Sequence, residues 1–84
     1  MIEDIRKIKT AHSIEINNEI FNVLNYEELF INDENDWVTE FVLLDSKNVK
    51  HKLKIIFNED RDYEFIGAFL DNILIDIKKI KIKS

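Results

Sequence analysis

Residues 49–57, Val-Lys-His-Lys-Leu-Lys-Ile-Ile-Phe, decide the fold. Val49, His51, Leu53, Ile55 and Phe57 fall on one side of an extended chain, and Lys50, Lys52 and Lys54 on the other. A period of two is the mark of a strand with one face buried and one in water. Such a strand needs neighbours on both sides to pair its backbone.

Upstream, Trp37 to Leu44 carries apolar groups on both faces, Trp37, Phe41 and Leu43 against Val38, Val42 and Leu44. That predicts a strand central in the sheet, joined to residues 49–57 through turn formers at Asp45 to Asn48. Residues 32–36, NDEND, have no apolar member and read as a loop. Before them EIFNVLNYEELFI, residues 19–31, is long enough for a strand to need a bulge or bend near Asn25. Ile14 and Ile16 alternate with Ser13, Glu15 and Asn17, and Asn17-Asn18 tolerates the left-handed backbone of a tight hairpin.

Downstream, NEDRD at 58–62 is a turn, and Tyr63 to Leu70 a strand in which Gly67 marks a bulge or a close approach. Residues 62–80 fit two periods. Phe65, Ile66, Phe69, Leu70, Ile73, Leu74, Ile77 and Ile80 share half of a helical wheel, whereas Ile73, Ile75 and Ile77, then Ile80 and Ile82, alternate after a turn at Asp71-Asn72. The hairpin is the favoured reading. At the start, Ile2, Ile5 and Ile8 recur every three residues, with Glu3 and Asp4 early and Arg6, Lys7 and Lys9 late, which suits a short amphipathic helix and its dipole. The expected fold is mainly β: a small antiparallel meander, either a twisted sheet or a small barrel, with a short N-terminal helix. An α+β fold with a C-terminal helix is the alternative. The expected core is Trp37, Phe41, Leu43, Leu53, Ile55 and Phe57.

The chain of 84 residues supports one domain, residues 1–84, and its 45% hydrophobic content is enough to fold it. Without cysteine, disulfides and thiolate chemistry are excluded. No apolar run reaches the roughly 20 residues of a membrane span, and MIEDIRKIKT lacks a signal peptide's apolar stretch, so a cytoplasmic location is expected. Abundant isoleucine and asparagine with no proline or glutamine follow from AT-rich codons, pointing to an AT-rich bacterium or a phage or mobile element within one.

Catalytic and metal-binding patterns are weak. Asp33, Asn35 and Trp37 fail the calcium-loop template at the third ligand, with Val38 and Leu44 at its sixth and twelfth positions. Asn58, Asp60 and Asp62 fit three positions, but Tyr63 and Phe69 occupy the sixth and twelfth. His51 reads as a half-buried, hydrogen-bonded histidine, and His12 and Ser13 face opposite sides of a strand. Glu27 with Glu28, or Asp60 with Asp62, is a nonspecific carboxylate pairing, and one glycine cannot build a phosphate loop. Lys50, Lys52 and Lys54, with Lys78, Lys79, Lys81 and Lys83, could meet a phosphate backbone, but the net charge of −5 opposes it, and lysines on edges and outer faces also prevent aggregation. No catalytic residue, cofactor or metal is expected, and direct nucleic-acid binding is not.

Charge segregation stands out. Between Ser13 and Ser46 lie nine acids, Glu15, Glu19, Glu27, Glu28, Asp33, Glu34, Asp36, Glu40 and Asp45, with no lysine or arginine. If the strands carrying them are contiguous, their outward carboxylates form one negative surface. The expected function is a non-enzymatic protein-binding module that docks a basic partner on Glu15, Glu19, Glu27, Glu28, Asp33, Glu34, Asp36 and Glu40. Its sharpest form is an inhibitor or immunity-type protein acting on a nucleic-acid-handling protein. A structural subunit that self-associates through strand edges is the alternative.

Overall fold

The computed structural model describes residues 2–31, 35–59 and 64–83. Helix α1 (Ile2–Thr10) opens the chain and ends where the Thr10 hydroxyl turns back onto the carbonyls of Arg6 and Lys7 at 3.3 and 3.2 Å. Seven strands follow: β1 (Ser13–Ile16), β2 (Glu19–Ile31), β3 (Asp36–Leu44), β4 (Lys50–Asn58), β5 (Glu64–Leu70), β6 (Ile73–Ile75) and β7 (Ile80–Ile82). They make one antiparallel sheet in the order β6-β5-β4-β3-β2-β1-β7, curled into a half-barrel. The fold is mainly β with a short N-terminal helix, and residues 64–75 form the hairpin.

Turn chemistry sets the register. Asn17 and Asn18 have φ of 51° and 68°, and Asp71 and Asn72 have 50° and 67°. Two consecutive left-handed residues give the two-residue hairpin whose twist matches its strands. At the β3–β4 connection, Asn48 takes φ 62°, and Asp45 Oδ1 accepts from the backbone N–H groups of Lys47 and Val49 at 2.8 and 3.0 Å.

Two bulges bend the sheet. The β2–β3 register slips between Val23 and Asn25, where the bend near Asn25 was expected, and the β4–β5 register slips between Ile56 and Phe57, opposite Ile66 and Gly67. An extra residue bends its strand and tightens the local twist, which helps a seven-stranded sheet curl.

The inner face holds the core: Ile8, Ile14, Ile16, Phe21, Phe41, Leu43, Leu53, Ile55, Phe57 and Ala68. Five of the six expected core residues are there. Trp37 is only half-buried, because it stands at the outer end of β3 against the Phe30 ring at 4.7 Å. Val49 precedes β4 and is exposed, so its place in the alternation does not bury it. A simple meander also fails at the last step: β7 leaves β6 and pairs with β1. The 3₁₀ turn Ile77–Lys79 makes that crossing, capped by Asp76 Oδ1 accepting from Lys78 N–H at 2.9 Å, while Ile77 and Ile80 pack against the core.

Candidate functional site

β1, β2 and β3 are adjacent in the sheet, so the acid-rich strands are contiguous as the charge reading requires. Side-chain direction then divides the acids. The bulge at Leu24 changes which parity of β2 faces outward: Glu27 lies opposite Glu40 on the outer face, and Glu28 lies opposite buried Thr39, on the side of the sheet where α1 packs. There the Lys9 ammonium of α1 pairs with Glu28 and stands 5.1 Å above the Tyr26 ring. On β1, Glu15 points outward between Lys81 of β7 and Lys83 just after it, at 4.0 and 3.2 Å.

Glu40 on β3 is held by Lys52 and Lys54 of β4, at 3.4 and 3.9 Å. Asp36 is half-buried and accepts from Asn58 Nδ2 at 2.7 Å. Glu19 is exposed at the start of β2. Asp33 and Glu34 lie outside the described residues, as do Asp60 and Asp62. The structure therefore keeps Glu27 and Glu40 together, surrounds Glu15, Glu28 and Glu40 with lysines from α1, β4 and β7, and leaves Glu27 without an ion pair to any described residue.

A second cluster gathers at the end of the half-barrel where the β1–β2, β3–β4 and β5–β6 turns meet. His51 of β4 sits between two carboxylates: Nε2 lies 2.8 Å from Asp45 Oδ2, and Nδ1 lies 2.5 Å from Asp71 Oδ2. Asp71 Oδ1 also accepts from Lys52 N–H at 3.0 Å, and the His51 ring stands edge-on to Phe21 at 5.3 Å. Hydrogen bonds first to Asp71 and then to Asp45 raise the His51 pKa above its usual value, against the opposing effect of burial. The hydrogen bond from His51, aided by Val49 N–H, lowers Asp45. For Asp71, burial pushes upward, but His51 and Lys52 N–H together outweigh it and the pKa falls.

His51 was legible as a half-buried, hydrogen-bonded histidine, whereas its partners were not. The only signal was topological: in a meander, alternate turns collect at one end, and Asp45 and Asp71 both sit in such turns. The cluster borders a recess of about 320 Å³ whose lining includes Glu19, Phe21, His51, Leu70, Asp71 and Ile75. With both ring nitrogens engaged, His51 has no free lone pair to act as a base. The two aspartates approach opposite edges of the ring and so cannot meet on one ion. Among the described residues, no group of three or more His, Asp or Glu is placed to hold a metal. No described helix is long and apolar enough to cross a membrane.

Comparison with protein families, curated proteins and solved structures finds no match to this chain.

Proposed function

We propose that this chain is a non-enzymatic protein-binding module that receives a basic partner on the outer face of β1 to β3. The observation that carries the reading is Glu27 directly opposite Glu40. Like charges facing across an antiparallel pair disfavour the pairing. Lys52 and Lys54 relieve Glu40, while Glu27 is exposed and no described residue offsets it. A cation supplied from outside would relieve the repulsion and gain a carboxylate already held in place by the sheet. Glu19 stands opposite buried Ile16, on the other side of the sheet from Glu27, and takes no part in this surface.

With a sequence pI near 4.9, long-range attraction favours basic partners. The sharpest version is an inhibitor or immunity-type protein of phage or mobile-element origin that covers the basic surface of a nucleic-acid-handling protein. Assembly through strand edges has less support, since β6 and β7, the two free edges, are three residues each.

The test is capture from bacterial extract, followed by association kinetics with the captured protein. Association should slow severalfold as salt shortens the Debye length from roughly 10 Å at 0.1 M to about 3 Å at 1 M. Glu27→Lys should remove capture, and Lys50→Glu combined with Lys78→Glu should leave it intact. Capture indifferent to both salt and the acidic reversal would overturn the reading.

A further inference from the structure

The outer face of the sheet is not uniformly polar. Register places Leu29 of β2, Val38 of β3, Ile56 of β4 and Gly67 of β5 in one row. The next row along the strands holds Glu27, Glu40, Lys54 and Phe69. Gly67 leaves room there for an aromatic: a Cβ on it would stand 3.1 Å from Phe69 Cε2, so the ring lies across the bare backbone. Leu29 and Ile66 remain 46% exposed, large values for aliphatic side chains in the middle of strands. Between them Val38 is only 6% exposed and Ile56 is half-buried, so the exposed apolar surface lies at the two ends of this row with charge beside it.

What would cover it is decided by how the charge is distributed. Across β3, the acid stands on one flank, Glu27 on β2, and the base on the other, Lys54 on β4, at the same level along the strands. Consider a second copy related by a two-fold axis running along β3 in the plane of contact. That rotation lays β2 of one copy over β4 of the other and keeps the level along the strands. Glu27 then meets Lys54 of the second copy, Leu29 meets its Ile56, and Val42 meets its own counterpart. Glu40 lies at the axis opposite its own counterpart, and Lys52 and Lys54 of each copy offset that pair of acids.

These rows, with the row beside them in which Lys52 stands opposite Val42, contribute two acids, Glu27 and Glu40, and two bases, Lys52 and Lys54, from each copy, so the contact is neutral although the whole chain carries −5. A basic partner suits the β1 to β3 side, whereas β2 to β4 carry both signs and so suit a copy of the same face. We propose that the outer face of β2 to β4 is a self-complementary interface on which a second copy of this chain packs, sheet on sheet, about a two-fold axis along β3. Because the sheet curls with its core on the inner side, two copies touch along β3 and the residues that flank it, and a two-fold contact uses the same patch on both copies. Because Glu27 belongs to this interface and to the surface for a basic partner, self-association and capture compete. The inference itself does not depend on that partner.

The test is sedimentation of the purified chain alone. At low salt it should dimerise with a Kd on the order of micromolar, as suits an interface at the small end of the specific range. Glu27→Lys and Lys54→Glu should each weaken the dimer about tenfold or more by setting like charges across the contact. The double variant Glu27→Lys/Lys54→Glu should restore it to within about threefold, and mixing the two single variants should give a heterodimer. Within each chain Glu40 keeps at least one lysine neighbour in every variant, and circular dichroism checks that each is folded. Leu29→Lys, at an exposed position, should also dissociate the dimer, whereas Ile73→Lys on the β6 edge should not. A chain still monomeric at about 100 µM overturns the proposal, as does a dimer that ignores Glu27, Lys54 and Leu29. A dimer broken by Ile73→Lys alone would assign self-association to the strand edge instead.

Discussion

Asp71 reaches back from the β5–β6 turn to His51 Nδ1 at 2.5 Å, so a residue in one hairpin turn braces the turn end of the neighbouring hairpin. Asp45 does the same from the β3–β4 turn at 2.8 Å, and the imidazole joins the two connections through both of its N–H groups. Two donors require the protonated ring; the neutral ring has only one.

The clamp predicts a pH dependence. His51 has a raised pKa, so its contribution is full below the ordinary imidazole value of 6.5 and is lost as pH climbs through the higher folded value. Asp45 and Asp71 have lowered pKa values, so their contributions are full above the ordinary carboxylate value of 3.8 and are lost as pH falls through the lower folded values. The Tm gap between the wild type and His51→Gln should therefore be widest between about pH 4 and 6.5 and should narrow toward pH 9. A gap that widens with rising pH would refute the charged clamp.

Core and surface positions of β4 should separate cleanly in urea denaturation. Leu53 and Ile55 are fully buried, so either one replaced by alanine should cost about 2 to 5 kcal/mol. Lys52 is exposed and shares Glu40 with Lys54, so Lys52→Ala should cost less than about 1 kcal/mol. Equal losses at Leu53 and Lys52 would mean that the inward face of β4 is misassigned.

The left-handed turn residues give a third test. Asn72 has φ 67°, where a Cβ crowds the following carbonyl. Asn72→Ala should cost about 1 kcal/mol, and Asn72→Gly should be neutral or stabilising. Chemical denaturation of the two variants decides it: a glycine variant weaker than the alanine one would exclude the two-residue turn.

Much of the architecture could be read from period and turn chemistry. The alternation at 49–57 gave β4, the two-sided apolar run at 37–44 gave the central strand, and Asn17-Asn18 and Asp71-Asn72 gave two hairpins. At residues 62–80, where helix and strand periods overlapped, the turn-forming pair decided for strand. The destination of β7 was hidden, because Ile80 and Ile82 alternate equally well beside β6 or beside β1, and only the curl of the whole sheet selects β1. Trp37 was misjudged because period assigns a face, while burial also depends on position along the strand.

The acidic surface was legible as composition and illegible as geometry. Glu27 and Glu28 are neighbours in sequence, and the single extra residue at Leu24 decides which of them points outward. The lysines beside Glu15 and Glu40 come from strands far along the chain, and no local pattern announces cross-strand partners. Counting charges located the block of acids, but only the register told compensated carboxylates from Glu27.

The pairing of β1 with β7 also constrains the order of events in synthesis. Lys83 N–H reaches the Ser13 carbonyl at 3.1 Å, and Ile82 stands opposite Ile14, so β1, synthesised before the other six strands, finds one of its two neighbours only when β7 has followed them all. Until then, β1 exposes an unpaired backbone edge, and Ile14 and Ile16, which the finished fold buries completely or almost so, lack the strand that flanks them. Closure over so long a stretch is entropically slow. The nascent chain therefore passes through a sticky stage, in which β1 can recruit a strand from another molecule before its own arrives.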